Sequence, residues 1–270
     1  MSDGDPILEA RSLAVRYPDQ RGPLGGVRSW RRAVDDVSFV VPRGQTLALV
    51  GESGCGKSST GRAILGLQPQ ASGELLFRPA GADGGRDLLK LPPSGWKAVR
   101  RRIALVFQDS GSALNPRLKV WQSVAEPLQI HRLASGAGLR RRVDELLERV
   151  GLDPASGERY PDQFSGGQRQ RIGIARALGT EPELVVCDEI VSALDVLVQR
   201  QVLELLSGLQ RERGLSYLFI CHDLAVVSGF AQRTAVMKGG RLAEQGPTAE
   251  MFSAPKQEYT RCLLDAVPLI

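Results

Sequence analysis

Gly51-Glu52-Ser53-Gly54-Cys55-Gly56-Lys57-Ser58 fits the pattern GxxxxGK[ST] and lies between an apolar, β-branched run, Thr46 to Val50, and a helix-compatible segment, Lys57 to Leu67. Strand, glycine-rich turn and helix in that order are the setting in which this pattern binds phosphate. The glycines let the backbone wrap closely, so that N–H groups and the positive end of the helix face phosphate oxygens. Lys57 is then expected to reach the β- and γ-phosphates of a nucleotide, and Ser58 to ligate Mg²⁺. The nucleotide-contacting residues expected in this segment are Gly51, Ser53, Gly54, Cys55, Gly56, Lys57, Ser58 and Ser59.

Upstream of this loop, Ile7 to Tyr17 shows broken apolar alternation and reads as a strand. The Pro-, Gly- and Arg-rich stretch that follows, up to Arg32, reads as a loop, and Val34 to Val41 as a second strand. Downstream, Gly73 to Phe77 and Arg102 to Phe107 are strand-like. Between about residues 112 and 160 the period changes: Val143, Leu146, Leu147 and Val150 fall at i, i+3, i+4 and i+7, one apolar helical face. A loop at Tyr160 to Gly167 precedes a helix at Gln168 to Leu178, a buried strand at Leu184 to Cys187 and a helix at Val196 to Glu212. Tyr217 to Cys221 is a further buried strand, Thr234 to Met237 with Arg241 to Gln245 a hairpin, and Tyr259 to Ala266 a helix. Strands alternating with helices predict an α/β fold with a mainly parallel sheet and a helical insertion.

A chain of 270 residues with 42% hydrophobic side chains buries a sizeable core as one large domain or a domain with a lobe, which excludes dominant disorder. The longest apolar runs, such as Leu47 to Val50 and Tyr217 to Cys221, fall far short of the roughly 20 residues of a membrane-spanning helix. The start MSDGDPILEA lacks the basic and apolar regions of a secretory signal, so cytosolic residence is expected. Cysteines 55, 187, 221 and 262 form no CxxC pair and have no His at ligand spacing, which argues against zinc or iron–sulfur chemistry. The net charge of +5 includes clusters at Arg100 to Arg102 and Arg140 to Arg142. Clusters this short read more readily as solvated helix faces than as patches for nucleic acid or anionic lipid.

Leu184-Val185-Val186-Cys187-Asp188-Glu189 is an apolar strand ending in adjacent carboxylates, which are costly there unless a cation or a reaction partner uses them. Asp188 suits the Mg²⁺ shell, and Glu189 suits a general base that polarises the attacking water. Two acids ending a strand also suit a helix cap. Beside a phosphate loop the catalytic reading is favoured.

Phe164-Ser165-Gly166-Gly167-Gln168, followed by an arginine-rich helix start, resembles the LSGGQ signature of the ATP-binding-cassette family, with Phe164 in place of the usual Leu. In the order of that family, Gln108 resembles the Q-loop, Ser192-Ala193-Leu194-Asp195 the D-loop and His222 the switch histidine. The resemblance implies a P-loop NTPase core, an N-terminal antiparallel β subdomain and a helical signature subdomain. Its core would fall at about residues 1–108 and 180–250, its helical subdomain at about 109–179 and its tail at about 251–270. ATP and Mg²⁺ are the implied ligands. The implied nucleotide contacts extend to Gln108, Ser165, Gly166, Gly167, Gln168 and Asp195, with Ser58, Gln108 and Asp188 at the metal, and Lys57, Glu189 and His222 in catalysis. Tyr17 or Trp30 would stack on adenine.

Leu114-Asn115-Pro116-Arg117, Tyr160-Pro161-Asp162-Gln163 and Tyr259 to Pro268 resemble the dipeptide, oligopeptide and nickel importer branch. The chain ends without a cysteine-bearing extension and resembles the shorter of that branch's two paired ATPases. The implied role is an ATP-hydrolysing subunit, peripheral at the cytoplasmic face of the inner membrane, driving import of a peptide or of nickel or a chelate. The implied partners are two transmembrane permease subunits, a second ATPase, for which a paralogue is favoured over a second copy of this chain, and an extracytoplasmic solute-binding protein, with no nucleic acid. The membrane subunits' coupling helices would dock at Ala113 to Val124. A soluble cassette acting on DNA ends would carry a long coiled coil, and Gln108 to Ser165 holds no heptad run.

Overall fold

The computed structural model describes residues 5–21, 27–82, 84–108 and 113–266. In chain order these residues form strands β1 (Leu8–Arg21), β2 (Val27–Val41) and β3 (Thr46–Val50), helix α1 (Lys57–Ile64), strands β4 (Ala71–Phe77) and β5 (Arg86–Asp87), helix α2 (Trp96–Val99) and strand β6 (Ile103–Val106). Helices α3 (Val120–Ile130), α4 (Gly136–Arg149) and α5 (Gly166–Leu178) follow, then β7 (Leu184–Asp188), α6 (Val196–Arg213), β8 (Ser216–Ile220), α7 (Leu224–Ser228), β9 (Arg233–Lys238), β10 (Arg241–Pro247), α8 (Thr248–Ser253) and α9 (Glu258–Asp265). The chain divides into two compact units, Met1–Lys97 with Ser216–Ile270, and Ala98–Leu215.

In the first unit, β1 lies between β2 and β4 in an antiparallel sheet with β5 at its far edge. A second set places β3 between β8 and β9, parallel to both, with β10 antiparallel to β9. Every residue of β3 and β8 is buried, as expected of strands covered on both faces and written as unbroken apolar runs. Phe230 packs on Phe219 edge-on at 5.0 Å and on Tyr217 at 6.0 Å. Such side chains contribute about 1.5–3 kcal/mol each on burial.

The loop expected between Tyr17 and Arg32 is, where described, a two-stranded ribbon: Tyr17 pairs with Arg31 and Pro18 with Trp30. Its side chains are mostly exposed, and apolar alternation in β2 begins only at Val34. Ladder hydrogen bonds need no buried side chain, so this part of the strand leaves no hydrophobic pattern in the sequence. Pro18 is tolerated because β4 pairs with β1 only as far as Val15, which leaves Pro18 bordered by β2 alone. Helix α1 likewise ends at Ile64 rather than Leu67. Gly66 takes φ +66°, and the N–H groups of Gly66 and Leu67 bond back to the Ala63 and Arg62 carbonyls, a glycine-terminated helix end.

In the second unit, β6 runs parallel to β7 with Ile103 opposite Leu184 and Val106 opposite Cys187. Leu139, Val143, Leu146 and Leu147 form the buried face of α4, with Val150 buried just beyond it. The arginines of this helix are paired: Arg140 with Asp144 and Glu158, and over the Trp121 ring at 5.2 Å, and Arg142 with Glu145 and Glu181. Asp195 caps the start of α6, and Gly214, at φ +64°, ends it.

Candidate functional site

The glycine-rich loop joins β3 to α1 within the first unit. Gly51 sits at φ +144°, and a Cβ there would stand 2.2 Å from the Met237 carbonyl oxygen. Gly56 sits at φ +111°, and its Cβ would stand 2.3 Å from the Ala33 carbonyl oxygen. Two backbone segments therefore press the loop from outside, and only glycine satisfies both the dihedral and the space. Gly56 caps α1 without a side chain, and the first turn of the helix carries no acid, so no carboxylate of that turn competes for its N–H groups.

Lys57 is buried, and its ammonium turns back over the loop, donating to the Gly51 carbonyl at 2.7 Å and the Glu52 carbonyl at 2.9 Å. The cation is thus held where the loop closes. Ser53 and Gly54 are exposed, and Ser58 and Ser59 are half-buried. Tyr17 and Ser59 share a hydrogen bond of 3.1 Å, which fixes the tyrosine beside α1, whereas Trp30 is 46% exposed on the ribbon. Cys55 is buried, and burial pushes its thiol up against the opposing pull of Lys57. His222 follows β8 and is exposed, and the next residue, Asp223, caps α7 by accepting the Ala225 N–H at 2.8 Å.

The remaining candidates belong to the second unit. Asp188 ends β7 half-buried. Glu189 follows at φ +50°, the left-handed region that costs a side-chain-bearing residue about 1 kcal/mol or more. Two side-chain hydrogen bonds hold it there, and a third contact joins the two residues that make them. Gln108 Nε2 donates to Glu189 Oε2 at 3.1 Å and lies 3.5 Å from Ser192 Oγ, while Ser192 Oγ donates to the Glu189 carbonyl at 2.9 Å. Gln108 and Glu189 meet although 81 positions separate them. Ser192, read from the sequence only as the start of a motif, is the residue that ties this group together.

Ser165 caps α5 in a reciprocal box: its hydroxyl accepts the Gln168 N–H at 3.3 Å, and Gln168 Oε1 accepts the Ser165 N–H at 3.0 Å. The box starts the helix at Gly166, two residues earlier than the apolar pattern implies. Ser165 and Gly166 are exposed at the helix start. Gly167 is buried, and a Cβ there would meet Val198 Cγ1 at 2.4 Å, so glycine permits the close approach of α5 to α6. Phe164 is 5% exposed, with Arg159 4.5 Å over its ring and Arg169 donating to its carbonyl at 3.0 Å, so the aromatic fills a covered position. Asp195 accepts the Val198 N–H at 3.0 Å, and Gln199 Nε2 donates to the Val191 and Leu194 carbonyls at 3.0 Å each.

A phosphate loop carrying a buried lysine, a carboxylate-ended strand and a capped Ser-Gly-Gly-Gln helix start define a nucleotide-binding cassette. Residues 34–192 match the ABC transporter family, and the chain belongs to it. It is 48% identical over 267 residues to the glutathione import ATP-binding protein GsiA of Escherichia coli K12, and 47% identical to that of Salmonella paratyphi A. The match covers 99% of this chain and 42% of those relatives, so the chain spans less than half their length. Among solved structures it is similar to cbiO1 of Clostridium perfringens, part of the ABC transporter complex cbiONQ, with TM-score 0.77, 28% identity and coverage of 93% and 92% of the two chains. It is also similar to the dimeric ATP-binding cassette MJ0796 bound to ADP and Pi, with TM-score 0.76, 26% identity and coverage of 90% and 99%.

Proposed function

We propose that this chain binds and hydrolyses ATP to power import of a small peptide through a membrane transporter. The observation that carries the reading is the loop itself, a glycine-enforced backbone with the Lys57 ammonium folded onto the Gly51 and Glu52 carbonyls. On binding, a triphosphate exchanges those carbonyls for phosphate oxygens, a stronger charge-assisted pairing. Cargo of peptide type is supported by the glutathione importers at 48% identity, since glutathione is itself a small peptide.

The donor set suits Mg²⁺. Hard oxygen and few protein ligands are what this ion takes when phosphates and water complete its shell. The Ser58 hydroxyl, the Asp188 carboxylate and the Gln108 amide oxygen meet that description, and among the described residues no cluster of three or more His, Cys, Asp or Glu competes as a metal cage. When bound, the ion neutralises charge on the β- and γ-phosphates. Glu189 orients and deprotonates the attacking water, Lys57 offsets charge on the phosphoryl oxygens, and His222 contacts the γ-phosphate.

The exposed Ser165 and Gly166 at the start of α5 receive the γ-phosphate of ATP held on a second cassette, so the working unit is a pair. The dimeric MJ0796 cassette with ADP and Pi supports this arrangement. ATP then favours the closed pair and hydrolysis releases it, a shift set by differential affinity. The division of labour follows the two-part reading of the sequence, the core holding nucleotide and the helical part facing the permeases. Ala113 to Val124 is the docking segment, anchored by Arg176, which donates to the Ala113 carbonyl at 3.0 Å and pairs with Glu126 at 2.6 Å. Among the described residues no helix is long and apolar enough to cross a membrane. Attachment at the cytoplasmic face, on this reading, runs through permease subunits.

The test is co-purification of the tagged chain from native membranes, followed by reconstitution and ATP-driven uptake of labelled glutathione and dipeptides. Recovery of permeases with uptake that follows ATP supports the reading. Recovery of ribosomes or DNA-end factors without permeases would leave the ATPase chemistry and remove transport.

A further inference from the structure

The nucleotide chemistry above leaves unused the segment Tyr259 to Pro268, of which residues 267 and 268 lie outside the described residues. Helix α9 at its start is placed with some care. The Glu244 carboxylate, on β10, accepts the Lys256 N–H at 2.9 Å and the Gln257 N–H at 3.0 Å just ahead of the helix. Arg261 closes the same turn, donating to the Pro255 carbonyl at 3.1 Å and the Lys256 carbonyl at 3.4 Å, and Thr260 is fully buried.

The helix so fixed presents Tyr259 to the phosphate loop. The Tyr259 hydroxyl accepts the Glu52 N–H at 3.4 Å, and the Lys238 ammonium, at the end of β9, sits 4.4 Å from the centre of its ring. The residue before Lys238 is Met237, whose carbonyl borders Gly51. One face of the loop is therefore bounded by the end of β9, and the tyrosine bridges that strand end to the loop backbone. Burial pushes the Tyr259 hydroxyl up, so it stays protonated at neutral pH and keeps both donor and acceptor capacity.

We infer that Tyr259 is a positioning residue for the nucleotide, holding the Glu52 side of the phosphate loop in the shape that receives phosphate, so that helix α9 sets the affinity for ATP. This rests on the ATP-binding reading above and adds a determinant from a segment remote in sequence. Between the confined Gly51 and Gly56, the exposed stretch through Ser53 and Gly54 has open space around it and conformations to lose on binding, and an outside hydrogen bond at Glu52 removes part of that loss beforehand. The constraint acts on loop shape and not on the γ-phosphate, so ATP and ADP should feel it equally.

The test is titration calorimetry of ATP and ADP on the full chain, with Tm and the split between KM and kcat, for wild type, Tyr259→Phe and Tyr259→Leu. Tyr259→Phe keeps the ring against Lys238 and loses only the hydroxyl. It should raise Kd for both nucleotides by about fivefold, the size of one net hydrogen bond, and raise KM without lowering kcat, at unchanged Tm. Tyr259→Leu should weaken binding further and lower Tm. Equal Kd for wild type and Tyr259→Phe would overturn the inference, as would a loss confined to ATP. A wild-type chain that binds neither nucleotide would overturn the ATP reading beneath it.

Discussion

The phosphate loop and the Glu189 turn solve the same problem, an unusual backbone at a reactive position, in opposite ways. Around Gly51 and Gly56 the left-handed dihedrals are occupied by glycine, and neighbouring carbonyls at 2.2 and 2.3 Å from a built Cβ leave room for nothing else. At Glu189 the left-handed backbone, φ +50°, carries a full side chain and is held by Ser192 and Gln108. A loop that binds through its backbone can discard its side chains. A position proposed to use its carboxylate as the reagent cannot, and its strain must be offset by neighbours.

The contrast can be broken most forcefully at Gly56. Gly56→Ala drives a Cβ into the Ala33 carbonyl in a strained dihedral, and should cost at least ~2 kcal/mol of stability and abolish measurable ATP binding. Denaturant unfolding with nucleotide titration reads both, and an alanine variant that binds ATP normally would mean the loop is not so confined. Ser192→Ala removes the hydroxyl that secures the Glu189 carbonyl, and should lower kcat about tenfold with the Kd for ATP unchanged. An unaltered kcat would show that the turn holds itself.

A smaller effect sharpens the same point. Glu189→Gly should be more stable than Glu189→Ala by about 1 kcal/mol, the reverse of their usual order within regular elements, because only glycine is at ease at this dihedral. Urea midpoints in the usual order would contradict the strain. The mildest expectation concerns Cys55. Its thiol lies above the ordinary range through burial, so its thiolate fraction near neutral pH is below that of a free cysteine, and alkylation should be slow at pH 7 and accelerate as pH rises. Bound ATP should slow it further, and reaction at the rate of a free thiol would mean the loop is open.

The same difference explains what is legible in the sequence. Glycine and lysine at fixed spacing between apolar runs state the phosphate loop outright, because its geometry is written in residue types. Buried strands such as β3 and β8 were equally plain, since burial on both faces demands unbroken apolar runs. The ribbon through Pro18 and Trp30 was not, because exposed backbone pairing leaves no hydrophobic period. The bond from Gln108 to Glu189 and that from Glu52 to Tyr259 join positions far apart in the chain, and nothing in local sequence encodes which side chain arrives. Ser192 and Tyr259 were visible as letters of motifs, while their contacts came only with the fold.

On the proposed reading, Glu189 turns over the nucleotide that the glycine loop binds. Measuring Kd for ATP and steady-state Mg²⁺-dependent hydrolysis on wild type and Glu189→Gln, side by side, tests it most directly. Equal Kd and a rate lowered by about 10²-fold or more in the glutamine variant are expected. Equal rates in the two proteins would contradict it.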